Sequence, residues 1–172
     1  MSALHLYLVL LGGKHAQAHI EVHDLIPVVA TDLPSAFPYL KQKWFGLKQG
    51  LHVDSWMHIQ GVSYQGQNYQ VQIHDQPDHT SQLKLFLVNL GAYVPHCFGE
   101  IHKYSVVAAE NKQEAKVQAK LEIEKNWVKP HTDAVIDIDD CLELTLIEQK
   151  FIHLVKAEYC PNYFENEYIV IE

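Results

Sequence analysis

The 172-residue chain lacks the features that bind nucleic acid or cross a membrane. It has 13 basic residues against 21 acidic ones, a formal net charge of −8 and a pI near 5.8, and the basic residues form no run. Nucleic-acid affinity depends on clustered Lys and Arg, so a phosphate-binding surface is excluded. No apolar run approaches the roughly 20 residues that a membrane helix needs. We therefore expect neither a nucleic acid nor a membrane as a partner.

Cysteine is scarce and gives no metal or disulfide signature. Cys97, Cys141 and Cys160 are an odd number without a CxxC pair, which argues against a disulfide framework and a cysteine zinc site. The apolar start, Leu4–Leu11, resembles a signal peptide, but it has no basic segment before it and no small-residue cleavage site. This cysteine usage is typical of a reducing compartment, and we expect a cytoplasmic protein.

The short signatures of common enzyme classes are also missing. The chain contains no H-E-x-x-H, no GxGxxG and no G-x-S-x-G motif, which would indicate a metalloprotease, a dinucleotide site and a hydrolase elbow. The sequence therefore indicates no particular reaction, and whether the protein is an enzyme stays open.

What the chain does contain is a stretch that occurs twice. Leu4–Gly12 returns as Leu83–Gly91 at an offset of 79 residues, and the same offset matches further polar pairs downstream. A self-match at a fixed period indicates a tandem duplication. Because a half of about 80 residues would be only marginally stable alone, we expect the two copies to share one core.

The strand and helix patterns predict an α+β fold of two ββαββ repeats related by a pseudo-twofold axis. The predicted boundaries are 1–76 for the first repeat, 77–82 for a joint, 83–159 for the second repeat and 160–172 for a C-terminal tail with a closing strand. We expect that strand to complete the second copy. An alternative arrangement has paired βαβββ units, each taking its last strand from the beginning of the next segment, and this analogy concerns the fold alone.

Four polar residues of the first copy are the main candidates for ligand binding. Glu21 and His23 alternate along one predicted strand, and His52 and Asp54 alternate along another, so each pair points to one face. If the strands are neighbours, the four side chains converge. Imidazole with carboxylate suits zinc, iron or manganese, and His23, His52 and Asp54 are the predicted ligands of a divalent metal.

Two further candidates, Asp24 and Trp56, occur only in the first copy. Trp56 is expected to form an aromatic wall beside His52 and Asp54, and its other interpretation is core packing. We expect His52 to face solvent, so that replacing it costs little stability.

The second copy repeats the polar pairs as Glu100, His102, His131 and Asp133. These residues could form a sister metal cluster. The other interpretation of both sets is that the residues satisfy one another at the seam between the copies and fix its register.

Four segments of the first copy carry a family resemblance: Leu6–Gly13, Glu21–Asp24, Lys43–Gly46 and Leu51–Trp56. Together they resemble the bacterial family called domain of unknown function 1543, which is known in one or two copies per chain. The second copy matches more loosely, since its Trp-Phe-Gly element is missing. The resemblance implies a soluble bacterial protein and no activity, cofactor or partner. It implies that six residues are the family pattern in this chain: Glu21, His23, Asp24, His52, Asp54 and Trp56.

Two classes of function are consistent with these observations. The first is a small-molecule-binding or homo-oligomeric assembly protein, with a homodimer formed through an exposed strand edge. The second is a metal-assisted or His/Asp acid–base enzyme acting on a small molecule. We favour the first class and expect any site to be centred on the first copy.

Overall fold

The computed structural model describes residues 3–93, 96–126 and 136–171. Within these ranges the chain has an α+β fold with the following elements: β1 His5–Gly13, β2 Val22–Ala30, α1 Leu33–Lys43, β3 His52–Ile59, β4 Gly61–Tyr64, β5 Gln67–His74, β6 Lys84–Tyr93, β7 Glu100–Ala109, α2 Lys112–Asn126, β8 Ile136–Glu143, β9 Leu146–Ile147, β10 Lys150–Lys156 and β11 Tyr163–Val170. The predicted third strand of the first repeat is divided in two, since β3 and β4 join different sheets.

The strands form three antiparallel sheets, with the orders β11-β3-β1-β2, β7-β6-β8 and β4-β5-β10-β9. The first two sheets are built around β1 and β6, which are the two copies of the repeated apolar stretch. The third sheet takes strands from both halves, because β5 pairs with β10. Pro27 cannot donate a hydrogen bond and lies in β2, an edge strand, where a missing donor is tolerated.

The continuous apolar run of β1 is buried on both faces, as such a run requires. Val9 and Leu11 pack with Leu40 of α1 in one cluster. Leu6 and Leu8 point to the other face and belong to a cluster that also contains residues of the second half: Leu85, Leu87, Ala108, Leu144, Ile147, Ile152 and Leu154. The two halves therefore share a core, as expected from their small size.

Both helices begin at a capped turn. Asp32 accepts a hydrogen bond from the Ser35 backbone N–H at 2.8 Å, and Ser35 Oγ accepts one from the Asp32 N–H at 3.2 Å. In α2, the Glu114 N–H donates to Asn111 Oδ1 at 3.0 Å, and Glu114 Oε2 accepts from the Glu110 N–H at 2.8 Å. The Asp32–Ser35 bonds are reciprocal, and the Asn111 bond satisfies an amide that the start of α2 would otherwise leave unpaired.

The Glu114 carboxylate makes the stability of α2 dependent on pH. Its pKa is lowered chiefly by the hydrogen bond from the Glu110 backbone, and also by the Tyr64 hydroxyl. A lowered folded-state pKa adds stability above the unfolded-state value, and this stability is lost as the pH falls through the folded-state value. Glu114→Gln keeps an acceptor oxygen but removes the charge, and it should lower the free energy of unfolding at pH 7 by about 1 kcal/mol, because hydrogen bonds to charged groups are stronger than those between neutral groups. Chemical denaturation at pH 7, 5 and 3 should show a smaller acid-induced loss in this variant.

The matched control is Glu110→Gln, which keeps the backbone donor and changes an exposed side chain. Its stability at pH 7 should equal that of the unaltered protein. An acid-induced loss in Glu114→Gln as large as in the unaltered protein would contradict the assigned role of Glu114.

The C-terminal strand differs from the prediction. β11 pairs with β3 of the first half and does not complete the second copy. The paired βαβββ arrangement is also wrong, because β6 is the central strand of its own sheet, between β7 and β8. Both hydrogen-bonding edges of β6 are occupied within the second half, so β6 is not the last strand of the first unit. Ile171, which follows β11, packs in the core of the first half.

The offset of 79 residues is kept only up to the helices. The β1–β2 and β6–β7 pairings retain it. Beyond the helices, Gly12 faces His52, whereas Gly91 faces Asp137, which is an offset of 85. α2 has 15 residues against 11 in α1, so the second half contains additional residues before its third strand. The ungapped match of His52 to His131 is therefore wrong.

Candidate functional site

The four main candidate residues lie at one end of the first sheet. β2 and β3 flank β1 on either side, and Gly12 of β1 faces His23 in β2 and His52 in β3. Glu21 immediately precedes β2, and Asp54 follows His52 in β3. The repeated glycine thus lies between the two polar pairs.

The structure brings these four side chains together. His23 Nε2 is 3.3 Å from Glu21 Oε1 and 3.2 Å from Asp54 Oδ2. His52 Nε2 is 3.6 Å from Glu21 Oε1 and 3.2 Å from Asp54 Oδ1. We call these residues the His/carboxylate cluster.

A β-bulge places Asp54 in the cluster. Leu10 pairs with Ser55 and Leu11 pairs with Val53, so Asp54 is an extra residue without a partner in β1. Such a residue bends its strand and redirects the side chains around it. Asp54 therefore points to the same face as His52, and the strand alternation is shifted by one residue after it.

Gly12 leaves the space that the cluster occupies. A Cβ atom at this position would lie 2.3 Å from Asp54 Oδ2 and 2.5 Å from His52 Nε2. These separations are far below van der Waals contact, so any side chain here would displace both groups. Gly12 is required by this close approach.

The bulge also explains why Trp56 is not beside the cluster. Trp56 pairs with Val9 and packs on the α1 face of the sheet, where its ring lies 6.1 Å from that of Tyr7. The predicted aromatic wall is wrong, since the extra residue in β3 moves Trp56 to the face opposite His52. Core packing, its other interpretation, describes its position.

His52 is buried, with 2% of its surface exposed, so the expectation of a solvent-facing side chain is wrong. Its Nδ1 lies 2.8 Å from the Gly50 carbonyl oxygen. Because a carbonyl can only accept, Nδ1 carries the proton, and in the neutral ring Nε2 presents a lone pair to the cluster. His52 Nε2 and Asp54 Oδ2 are both buried without a hydrogen-bond partner.

Tyr168 of β11 covers the outer side of His52 and was missed by sequence reasoning. The two rings lie 4.3 Å apart at an interplanar angle of 33°. Tyr168 falls where the β11–β3 register shifts, between Asn166 and Ile169. Among the described residues the β7-β6-β8 sheet has no fourth strand, so the internal sequence repeat gave no signal for Tyr168.

A second, more exposed group lies in the other half. His102 Nδ1 is 3.1 Å from Asp139 Oδ2, and His102 Nε2 is 4.0 Å from Glu100 Oε2. All three residues are exposed. Asp139 occupies a bulge in β8 as Asp54 does in β3, and its oxygen lies 2.8 Å from where a Cβ on Gly91 would be.

The predicted sister residues His131 and Asp133 lie outside the described residues. Asp139 occupies in β8 the bulge position that Asp54 occupies in β3, the counterpart that the sequence repeat gave to Asp133. The spacing of Asp137-Ile138-Asp139 matches that of His52-Val53-Asp54 once the longer α2 is allowed for, and this is the signal that could have found it.

A cleft of about 380 Å³ lies between the two halves and begins at His23. Asp24, a candidate from the sequence, lines the cleft next to His23. Burial, followed by the negative charge of Asp24, raises the pKa of Tyr104 on the opposite wall. The residues that line the cleft are His23, Asp24, Leu25, Leu87, Asn89, Tyr104, Asp140 and Leu142.

The fold and the cluster define an α+β protein with a histidine–carboxylate site beside a cleft between two similar halves. The model of a family described as Domain of Unknown Function (DUF1543) matches residues 18–73, a stretch that contains the whole His/carboxylate cluster.

The crystal structure of a protein Il1583 from Idiomarina loihiensis is similar to the whole chain, with a TM-score of 0.74 and 26% sequence identity. The similarity covers 98% of this chain and 99% of that chain. No curated protein matches the chain. In the part of the chain that the structure describes, neither helix has the length and apolar character needed to cross a bilayer.

Proposed function

We propose that this protein binds a divalent transition metal at the His/carboxylate cluster and a small molecule in the cleft beside it. The observation that carries the proposal is His52, a buried imidazole whose Nε2 points at two carboxylates without a hydrogen-bond partner.

The second nitrogen of His52 is held in the way that metal-binding histidines are held. A ligating imidazole usually donates its other N–H to a carbonyl or a carboxylate, which fixes the tautomer and the ring orientation. The Gly50 carbonyl has this role here. A buried polar atom without a partner costs about 1–3 kcal/mol, and a bound cation would remove this cost for His52 Nε2 and Asp54 Oδ2 together.

Several separations within the cluster are close to those of a small tetrahedral site, and Glu21, His52 and Asp54 each offer a ligand atom within 4.8 Å of the others. Zinc bonds of about 2.0–2.1 Å to nitrogen and oxygen imply donor–donor distances of roughly 3.3–3.4 Å. The four measured contacts between the histidine nitrogens and the carboxylate oxygens run from 3.2 to 3.6 Å. The residue types suit zinc, iron and manganese.

Four protein ligands favour binding over catalysis. Catalytic zinc sites keep one position open for water or substrate, whereas structural sites are closed by four protein ligands. In this proposal Glu21, His52 and Asp54 hold the metal, His23, which is 3.2 Å from the other oxygen of Asp54, turns in as the fourth ligand, and the metal shapes one end of the cleft. The alternative, a metal-assisted enzyme, requires one of the four to leave the metal.

Metal titration and thermal unfolding test the proposal. Purified untagged protein, stripped with EDTA, should bind one Zn²⁺ or Mn²⁺ tightly. A ligand at 100 times its Kd adds about 2.7 kcal/mol to the free energy of unfolding, which corresponds to a rise in Tm of about 5–10 °C for a chain of this size.

The matched variants are Asp54→Asn and Asp139→Asn, which change the bulge residue of each half. Asp54→Asn should weaken metal binding by at least the roughly 10–100-fold that loss of an outer partner costs, and Asp139→Asn should retain the tight site. Equal effects of the two variants, or no metal binding by the unaltered protein, would overturn the proposal.

A tandem duplication, bacterial origin and cytoplasmic location are further parts of the proposal. The two halves have a central apolar strand, a glycine facing polar residues and a bulged third strand in common, which supports the duplication. Cys97, Cys141 and Cys160 are free thiols, which agrees with a reducing compartment. The family resemblance supports the bacterial origin.

A homodimer formed through β11 is supported by the exposed apolar side chains of that strand. β11 is an edge strand, and Tyr163 and Phe164 are 50% and 60% exposed. Unpaired edges of this kind pair readily with a second strand. Light scattering should give twice the mass of one chain, and Phe164→Lys should return a monomer; a monomeric unaltered protein would refute the dimer.

A further inference from the structure

The cleft between the two halves is lined by acidic side chains and by no basic lysine or arginine. Of the eight residues that line it, two are carboxylates, Asp24 and Asp140, and none is a lysine. The whole chain contains no arginine, which is the side chain best suited to bind carboxylates and phosphates in pairs. Lys103 is next to Tyr104 in the chain and is not among the residues that line the cleft.

The neutral polar groups of the cleft add acceptors. Asn89 Nδ2 donates to Asp140 Oδ2 at 3.4 Å, while Asn89 Oδ1 is buried without a donor. Tyr104 adds a hydroxyl that can accept as well as donate a hydrogen bond, and burial raises its pKa. Leu25, Leu87 and Leu142 provide the apolar part of the wall.

A bound metal would not neutralise the cleft. A divalent cation balances the charges of Glu21 and Asp54, with which the cluster histidines are in contact. Asp24 and Asp140 lie in the cleft outside this set, and they keep their negative charge. Charges of one sign in a cleft with low-dielectric walls focus the electric field and strengthen the attraction for a cation.

We infer that the ligand of this cleft is a small organic cation, with one or two amine or amidine groups on a short apolar chain. Its charged ends would meet Asp24 and Asp140, which come from different halves of the chain, and its apolar chain would lie against the leucines. A volume of about 380 Å³ is in the range of small-molecule pockets. The inference deepens the proposed function, on which it rests for the position of the cleft beside the metal.

Calorimetric titration of the zinc-loaded protein with 1,4-diaminobutane tests the inference. Succinate has the same chain length with negative ends, and 1,4-butanediol has it with neutral ends. At about 0.15 M salt, where exposed charges are screened beyond roughly 8 Å, the diamine should bind at least tenfold more tightly than either. Comparable binding of succinate or butanediol would overturn the inference.

Variants locate the diamine and separate this inference from the metal proposal. The double change Asp24→Asn with Asp140→Asn should weaken diamine binding at least tenfold and leave zinc binding unchanged. Glu158→Gln changes the net charge at an exposed residue outside the cleft and should leave diamine binding unchanged. Equal weakening by Glu158→Gln, or none by the double change, refutes the cleft site. If zinc does not bind but the diamine requires both aspartates, the metal proposal fails and this inference stands.

Discussion

His52→Leu is expected to abolish tight metal binding while leaving the metal-free protein as stable as before or more stable. Leucine has a similar size and no polar atoms, so it fills the buried space of His52 without an unpaired nitrogen. An unpaired buried polar atom costs about 1–3 kcal/mol, and the lost bond from Nδ1 to Gly50 offsets part of this gain. A stabilised or unchanged apo protein without a metal response is the signature of a residue kept for binding.

The measurement is urea unfolding with EDTA and with excess zinc. Zinc should raise the free energy of unfolding of the unaltered protein and leave that of His52→Leu unchanged. His58→Leu is the control, since His58 is a half-buried histidine of the same strand whose ring contacts His5 and Tyr7 outside the cluster. If His52→Leu loses several kcal/mol with EDTA present, or still binds zinc tightly, His52 has a structural role and the metal site is refuted.

His52→Ala is a weaker test because it combines two effects. Removing a fully buried ring leaves a cavity, and changes of this kind cost about 3–5 kcal/mol for aromatic residues. The expectation from the sequence that this change costs little stability depended on a solvent-facing side chain. With His52 2% exposed, a loss of stability in the alanine variant would occur whether or not the residue binds metal.

Gly12→Ala should reduce metal affinity by about 100-fold or more. The new Cβ would lie within 2.5 Å of both Asp54 Oδ2 and His52 Nε2, so it must displace two ligands, and the loss of one outer partner alone costs about 10–100-fold. Overpacking should also lower the free energy of unfolding by about 1–3 kcal/mol. Metal affinity is measured by competition with a chelator of known zinc affinity.

Gly91→Ala is the matched control in the second half. Its Cβ would lie 2.2 Å from Glu100 Oε1 and 2.8 Å from Asp139 Oδ2, so the crowding is similar and involves the exposed group alone. We expect a comparable loss of stability and an unchanged tight metal site. Similar losses of metal affinity in both variants would show that the effect comes from general destabilisation.

The parts of the fold that could be predicted depend on local patterns. The apolar run shared by β1 and β6 identified the two central strands, because only a strand buried on both faces tolerates such a run. The alternation of Glu21 with His23 and of His52 with Asp54 brought four candidate residues to one face. The start of α1 has a local signal in Asp32, since a capping side chain acts within its own turn.

The parts that could not be predicted depend on contacts between distant segments. The bulge at Asp54 has no local sequence signal, because it is defined by the pairing of β3 with β1. As a result, Trp56 lies on the face of the sheet opposite to the one that the sequence predicts. The longer α2 shifted the alignment, so Asp139 was overlooked. Tyr168 contacts His52 only because β11 pairs with β3, and this pairing is determined by tertiary packing.

The pairing of the C-terminal strand β11 with β3 of the first half has a consequence for folding during synthesis on the ribosome. Residues 1–76 emerge first, but the outer edge of β3 has no partner until Tyr163–Val170 has been translated, after the second half. At about 5–20 residues per second, the nascent chain exposes that edge for several seconds. A stalled or truncated product ending before Tyr163 would keep the edge open and leave His52 without Tyr168, which makes it a substrate for chaperones and for aggregation.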